Sequence, residues 1–204
     1  MQIRKDDIRK RILLAARQEF FRKGVKRTSI KDIASVAGVA VGNIYNYFSS
    51  KNDVFVAICS PLLKALDDFL MLENGKGNQT IELFFVESYQ YSMINHFIQL
   101  VKEYRPEFRL LLFESSGTTL EDFFQHYAKK QALIGEQYVA SMKEKYPYIN
   151  SDISPYLIEL NCFTWFAAIR ILVQNEDMSR EEMQKFVTDY ILYGTAGWKK
   201  LLGV

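Results

Sequence analysis

The chain has 204 residues, of which 49% are hydrophobic and 25% are charged, a balance typical of a globular protein and not of a disordered one. Its two cysteines, Cys59 and Cys162, are too few and too far apart for a zinc site or a disulfide framework. The net charge is +2, yet residues 1–51 hold 12 Lys and Arg against four Asp and Glu, a net +8, and the remainder is −6. A basic segment on an acidic body predicts a polyanionic partner for residues 1–51, the alternative being a solvated basic helix without a partner.

Apolar residues recur at three- and four-residue spacing almost throughout, which predicts an all-α fold. Gly24 and Gly38 are placed to end the first two helices, and the Ser-x-x-Asp patterns at 29–32 and 50–53 are typical of capping boxes. The runs 74–78 and 115–119 are predicted loops. The predicted helices span about 6–22, 30–37, 40–48, 51–73, 80–104, 106–115, 120–145, 154–174 and 179–202.

The most apolar stretch, residues 157–173, is interrupted by Glu159, Asn161 and Arg170. It is also shorter than the roughly 20 residues that cross a bilayer. The N-terminal residues lack the apolar run of a signal peptide. We therefore expect a cytoplasmic protein that does not enter a membrane.

Residues 30–49 have the spacing of a helix-turn-helix motif. Ala34 lies where two helices approach closely, Gly38 supplies the left-handed backbone of the turn, and Ile44 packs the second helix onto the first. The small core is completed by Ile33, Ala37 and Val39. In a segment of net charge +8, this set indicates a DNA-binding domain.

A longer pattern surrounds this motif. It consists of the Thr before the second helix, Ile-Ala at 33–34, Ala-Gly-Val at 37–39, Gly42, Tyr-x-Tyr-Phe at 45–48 and the Lys at 51. The pattern resembles the TetR family of bacterial transcriptional regulators over about residues 6–60. The resemblance implies a three-helix DNA-binding domain over residues 1–50. It also implies a larger helical bundle over residues 51–204 that binds an effector and dimerises.

In that family the third helix enters the major groove. The resemblance implies that the residues meeting base edges are Ala40, Val41, Gly42, Asn43 and Asn46. The two asparagines are suited to adenine. Ala40 stands where the family more often has Ser or Thr, so the helix lacks a side-chain cap. We expect the side chains of Ala40 and Val41 to touch thymine methyl groups instead.

The family also has positions that grip DNA phosphates at the start of the second helix and around the third. By resemblance these are Thr28, Ser29, Tyr45, Tyr47 and Lys51. For the two tyrosines the alternative is ordinary packing beside Phe48.

The body of the chain has no glycine-rich phosphate loop, and neither His96 nor His126 follows a Glu by three residues. We expect no catalytic site, no metal and no cofactor. The predicted helix at 80–104 mixes aromatic and polar residues on one face, which is typical of a small-molecule pocket. The candidate pocket residues are Phe85, Ser88, Tyr89, Ser92 and His96, with Phe124, Tyr127 and Trp165 from other helices. The alternative is a solvent-facing stripe, or a core His96 satisfied by Ser92.

The last two predicted helices combine small residues with large apolar ones, which permits close helix packing. The candidates for a dimer interface are Phe163, Ala167, Ile171, Tyr190, Gly194, Gly197 and Trp198. The resemblance implies a C₂ dimer built on these helices, whereas the same residues would also suit an intramolecular core.

We therefore expect a homodimeric repressor that binds a palindrome in double-stranded DNA and is released by a partly apolar small molecule. Two alternatives remain open. One is a DNA-binding adaptor controlled by a partner protein, and the other is a helical-bundle enzyme or carrier.

Overall fold

The structure is a computed structural model that describes the backbone of residues 2–74 and 80–204 and the side chains of 5–70, 80–81 and 84–204. Over these residues the fold is all-α, as the sequence predicted. The α-helices are α1 (Gln2–Lys23), α2 (Ile30–Ala37), α3 (Val41–Tyr45), α4 (Lys51–Asn74), α5 (Glu87–Glu103), α6 (Arg105–Phe113), α7 (Phe123–Lys145), α8 (Pro155–Gln174) and α9 (Arg180–Leu202).

The observed helices differ from the predicted ones mainly at their ends. The predicted helix at 80–104 is interrupted, because Ile81–Phe84 form a 3₁₀ turn and Val86 has extended backbone before α5 begins. Helix α3 is shorter than predicted, since the N–H groups of Tyr47 and Phe48 both bond to the Ile44 carbonyl and tighten the chain. Of the predicted loop at 74–78, Asn74 ends α4 and residues 75–78 lie outside the described part of the chain.

The chain forms two compact units. The N-terminal unit consists of Met1–Lys64 and Pro106–Phe123. Its core joins apolar residues of α1 to α4 with Leu110 of α6, and the rings of Phe20 and Phe55 meet edge to face at 6.0 Å. Pro106–Phe123 therefore pack in the N-terminal unit, although they come much later in the chain. The predicted division at residue 50 separates the DNA-binding segment from the effector-binding one and is not a division by packing.

The C-terminal unit consists of Ala65–Arg105 and Phe124–Val204. In it α5 packs against α8 and α9. The ring of Trp165 lies at the centre of this packing, with centroids 4.8 Å from Phe97 and 5.4 Å from Tyr190. These edge-to-face contacts hold the three helices together through large apolar surfaces.

Helix α8, with 20 residues, is long and apolar enough to cross a membrane by length and composition. The expectation that this stretch is too short for a span was therefore wrong. Core helices of globular proteins share this length and composition. Only 39% of the most apolar part of α8 is buried within the chain, which leaves an apolar face of α8 uncovered.

Candidate functional site

Helix α2 begins with the predicted capping box. The Ser29 hydroxyl oxygen accepts a hydrogen bond from the Asp32 N–H at 3.2 Å, and the Asp32 carboxylate accepts one from the Ser29 N–H at 2.7 Å. The hydroxyl of Ser29 also donates to this carboxylate, and Lys23 forms an ion pair with it at 2.9 Å. These contacts, the Ser29 hydroxyl foremost, hold the pKa of Asp32 well below its usual range. The start of α2 is therefore rigidly defined.

The turn between α2 and α3 has the geometry that the sequence predicted. Gly38 has φ 63°, the left-handed conformation that glycine adopts most easily. Arg11 of α1 donates from Nη2 to the carbonyl of Ala37 at 2.7 Å and to that of Gly38 at 3.3 Å. Arg11 is thus a positioning residue for the turn, and sequence analysis missed it because the contact spans 26 residues.

Ala40 precedes the first residue of α3 and provides no side-chain cap, as predicted. Ile44 is fully buried against the core, which fixes the helix and turns its other side outward. Tyr47 and Val41 are half-buried and pack on the same core. The residues exposed together around α3 are Ala40, Gly42, Asn43, Tyr45 and Asn46.

Two of the predicted phosphate contacts have partners inside the unit. Thr28 is 1% exposed, and its hydroxyl donates to the carbonyl of Gly24 at 2.8 Å. The Lys51 ammonium donates to the carbonyls of Val25 and Thr28, both at 2.7 Å, and to that of Lys26 at 3.3 Å. An ammonium group has three donors, so all of them are used. Burial also lowers the pKa of Lys51. These two side chains fasten the loop between α1 and α2.

Two acidic residues of this segment, Glu19 and Asp32, form ion pairs with neighbouring basic side chains. Glu19 is buried and pairs with Arg22 at 2.9 Å and with Lys23 at 3.1 Å. Other basic side chains, Lys10 and Lys31 among them, are exposed. The positive charge of residues 1–51 is therefore presented at the surface rather than neutralised in the core.

The C-terminal unit contains a cavity of about 490 Å³ bordered by parts of α5, α7, α8 and α9. Two of the predicted pocket residues, Tyr89 and Trp165, line it. The hydroxyl groups of Thr164 and Tyr190, which also line it, lie 2.9 Å apart. Its volume is in the range of small-molecule sites.

Most of the predicted face of α5 does not line this cavity, with Tyr89 as the exception. The side chains of Phe85, Ser88, Ser92 and His96 are exposed, and the Ser92 hydroxyl lies 3.3 Å from His96 Nδ1. The neighbouring face, with Met93, borders the cavity instead. The correction has a simple cause, since a polar stripe is solvated at lower cost on the outside of a unit than within it.

Phe124 and Tyr127 also differ from the prediction. Their rings pack edge to face on Phe166, at 4.7 Å and 5.7 Å between centroids. The Tyr127 hydroxyl donates to the carbonyl of Leu66 at 2.6 Å. Both residues therefore serve the core of the unit and do not border this cavity.

Helix α7 supplies cavity residues that sequence analysis missed. They recur at helical spacing and are Gln131, Gly135, Tyr138 and Met142. This periodicity was available in the sequence and would have identified one inward face of α7. Which cavity this face borders depends on α8 packing across it.

The predicted dimer residues fall into two groups. Phe163, Ala167, Ile171 and Gly197 are exposed, whereas Tyr190, Gly194 and Trp198 line the cavity. A Cβ atom added at Gly194 or Gly197 would meet no atom within 4 Å. Within one chain, therefore, neither glycine is required for close helix packing, and the intramolecular alternative loses its support at these positions.

The family model for bacterial regulatory proteins of the tetR family matches residues 12–58. The transcriptional repressor BepR of Brucella suis is 44% identical over 52 residues, which cover 26% of this chain and 25% of that protein. The matched part of this chain thus spans about a quarter of the length of that relative. Residues 12–58 contain the helix-turn-helix of α2 and α3 with parts of α1 and α4.

Two solved structures resemble the fold over most of its length. The fatty acid degradation regulator FadR from Bacillus halodurans has a TM-score of 0.62 at 20% identity, and the comparison covers 91% of this chain and 98% of that one. FadR from Bacillus subtilis, solved with stearoyl-CoA, has a TM-score of 0.62 at 17% identity, covering 91% and 96%. At these identities the likeness concerns the fold alone. Residues 12–58 thus match the helix-turn-helix region of the tetR family, and the fold of the chain as a whole resembles that of solved transcriptional regulators.

Proposed function

We propose that this protein is a repressor that binds a palindromic DNA operator as a homodimer and is released by a small-molecule effector. The single observation that carries the DNA-binding part is the exposed face of α3. Buried Ile44 orients the helix, and Asn43, Tyr45 and Asn46 are exposed on it in a segment of net charge +8. A short exposed helix with amide side chains is suited to the edges of bases in a major groove.

The roles within this surface follow from exposure and existing hydrogen bonds. Asn43 and Asn46 are proposed to read bases, with Ala40 and Val41 against thymine methyl groups and Gly42 allowing close approach. Tyr45 and Tyr47 are proposed to contact phosphates, whereas the hydroxyl and N–H of Ser29 already donate to the Asp32 carboxylate. Thr28 and Lys51 are proposed to support DNA binding indirectly, because their side chains hold the loop that precedes α2.

The uncovered apolar face of α8 supports the homodimer. Phe163 is 37% exposed and Ile171 is 41% exposed, and they lie on one side of the helix with Ala167. Exposed apolar faces of this kind mark interaction sites, and an isologous interface uses the same face twice. Two heads about one helical turn of DNA apart, roughly 34–36 Å, would then meet a palindrome.

The cavity of the C-terminal unit supports a small-molecule effector over control by a partner protein. Release of DNA requires that the effector change the DNA-binding unit. We propose that residues 106–123 transmit this change, because they pack in the N-terminal unit while the residues before and after them pack in the C-terminal unit. We propose that the protein acts in the cytoplasm, where its DNA target would be.

The test is selection of DNA sequences by the purified protein, followed by binding titrations at several salt concentrations. If each head neutralises about three or four phosphates, a dimer should give a log–log salt slope of roughly −5 to −7. Asn43→Ala should relax the selected sequence by about 1–3 kcal/mol at particular bases. Asn95→Ala, an exposed asparagine on α5, is the matched control and should change nothing. A salt slope near zero would exclude DNA as the partner.

A further inference from the structure

The cavity of the C-terminal unit contains a buried acceptor without a donor. Gln131 of α7 lines this cavity, and its Oε1 is buried with no hydrogen-bond partner among the described residues. A buried oxygen in this state destabilises a protein, and a ligand that brings an N–H or O–H group removes the penalty. The orphan oxygen therefore favours an occupant with a hydrogen-bond donor.

The side chains that the structure describes around this cavity carry no charge. None of them is Asp, Glu, Lys, Arg or His. Burial raises the pKa of Tyr138 to about 12 and that of Cys162 to about 11, so both are neutral at pH 7. An ion entering such a space would lose its water without gaining a countercharge. The wall therefore disfavours carboxylates, phosphates and ammonium groups.

The apolar part of the wall combines aromatic rings with aliphatic side chains. Trp165, Tyr190 and Trp198 contribute rings from α8 and α9, and Tyr89 contributes one from α5. Rings of this kind make favourable offset and edge contacts with a flat ligand. With a volume of about 490 Å³, the cavity accommodates a molecule of several fused or linked rings.

We propose that the effector is an uncharged aromatic molecule whose hydroxyl or amide group donates a hydrogen bond to Gln131 Oε1. The inference rests on the proposed effector-binding function and specifies its ligand. It differs from the chemistry of the related FadR of Bacillus subtilis, which was solved with stearoyl-CoA. That ligand bears phosphates, for which the described side chains of this cavity wall offer no cation.

Calorimetric titration of the whole protein without DNA tests the inference with three probes on one scaffold. These are 4-hydroxybiphenyl, 4-methoxybiphenyl and biphenyl-4-carboxylate, which present a donor, no donor and a negative charge. We expect 4-hydroxybiphenyl to bind about tenfold more tightly than the methoxy compound, and the carboxylate to bind more weakly than either.

Gln131→Leu should reduce the affinity for 4-hydroxybiphenyl about tenfold and leave the affinity for 4-methoxybiphenyl unchanged. Gln125→Leu, at an exposed position of the same helix, should alter neither affinity. Thermal melting provides a second measurement. Removal of an orphan buried acceptor should raise the melting temperature of the empty Gln131→Leu protein, whereas loss of a structural contact would lower it.

Three results would overturn the inference: equal affinity for the carboxylate and hydroxyl probes, unchanged hydroxyl affinity in Gln131→Leu, or binding of none of the probes at about 1 mM. None of these results bears on DNA binding, which is measured separately. If 4-hydroxybiphenyl binds through Gln131 but leaves DNA affinity unchanged, the ligand chemistry stands and the proposed release mechanism fails.

Discussion

The carboxylate of Glu107 on α6 lies 2.9 Å from the guanidinium of Arg17 on α1, and the Glu107 side chain is only 9% exposed. Seven residues further, Glu114 accepts a hydrogen bond from the Val25 N–H at 3.3 Å. Between these two contacts, Leu110 is fully buried in the core of the N-terminal unit. The segment after Arg105 is thus fastened to the DNA-binding unit by charge, hydrogen bond and apolar packing.

The Arg17–Glu107 pair predicts a stability effect that depends on which partner is removed. Arg17→Met leaves a nearly buried carboxylate without its partner and should lower the free energy of unfolding by about 1–3 kcal/mol, less than for a fully buried pair because Arg17 is partly exposed. Adding Glu107→Gln to this variant should restore part of the loss. Denaturant unfolding of the two single variants and the double variant measures the coupling. A coupling energy of zero would mean that the pair does not fasten α6 to α1.

The capping box of α2 predicts a dependence of stability on pH. The pKa of Asp32 in the folded protein is depressed from its ordinary value of 3.8. A depressed carboxyl pKa stabilises the fold above the unfolded value, and this stabilisation is lost as pH falls toward the folded value. The melting temperature of the unaltered protein should therefore exceed that of Asp32→Asn by a constant margin above about pH 5, and the margin should shrink below pH 3.8.

Asp68→Asn, at an exposed position of α4, is the control for the loss of one acidic group. Its melting temperature should follow that of the unaltered protein closely at all pH values. A margin for Asp32→Asn that stays constant down to pH 2 would contradict the role assigned to this carboxylate.

The hydrogen bonds of Lys51 predict that its substitution changes the stability of the fold without changing the contacts to DNA phosphates. Lys51→Met removes a donor from three backbone carbonyls and should lower the free energy of unfolding by about 1–3 kcal/mol. The salt slope of DNA binding should remain unchanged, because the ammonium is already occupied. Lys31→Met, on the exposed side of α2, should have the opposite effects. The free energy of unfolding should change little, and the salt slope should become smaller by about 2, because each of the two heads loses one phosphate contact. A reduced slope for Lys51→Met would return this residue to the phosphate contacts.

Substitution of Gly197 tests whether α9 lies in the proposed dimer interface. A Cβ at this residue meets nothing within 4 Å in one chain, so Gly197→Leu should fold, and its helix should be favoured by up to about 1 kcal/mol. If α9 approaches a partner closely here, the variant should be a helical monomer that no longer binds a palindromic operator. Light scattering measures the oligomeric state, and circular dichroism measures the helical content. An unfolded variant would contradict the open space around this glycine.

A second pair of variants checks the same interface through charge. Ile171→Asp and Leu133→Asp each place a carboxylate at an exposed apolar position of the C-terminal unit, at 41% and 61% exposure. Both variants should remain folded. Only Ile171→Asp should dissociate the dimer, because Leu133 lies on α7, outside the proposed interface. Dissociation by Leu133→Asp alone would move the interface to α7.

The local features of the DNA-binding unit could be predicted from the sequence. Ser29 and Asp32 form their capping box within one turn of helix, Gly38 adopts its left-handed conformation at a single residue, and Ala40 leaves α3 uncapped. Each of these features depends on residues at most a few positions apart. Their energies are therefore set by the backbone and its nearest side chains, whatever the rest of the chain does.

Tertiary packing decided which long-range partner each side chain has. The sequence alone does not distinguish a Lys51 that binds phosphate from one that binds backbone carbonyls. Only the folded chain brings the carbonyl of Val25, 26 residues away in sequence, to the Lys51 ammonium. Helix α5 likewise carries two adjacent faces that both contain aromatic residues. Periodicity identifies the faces of a helix, but α8 and α9 determine which of them borders the cavity, because burial depends on what packs across a face as well as on the face itself.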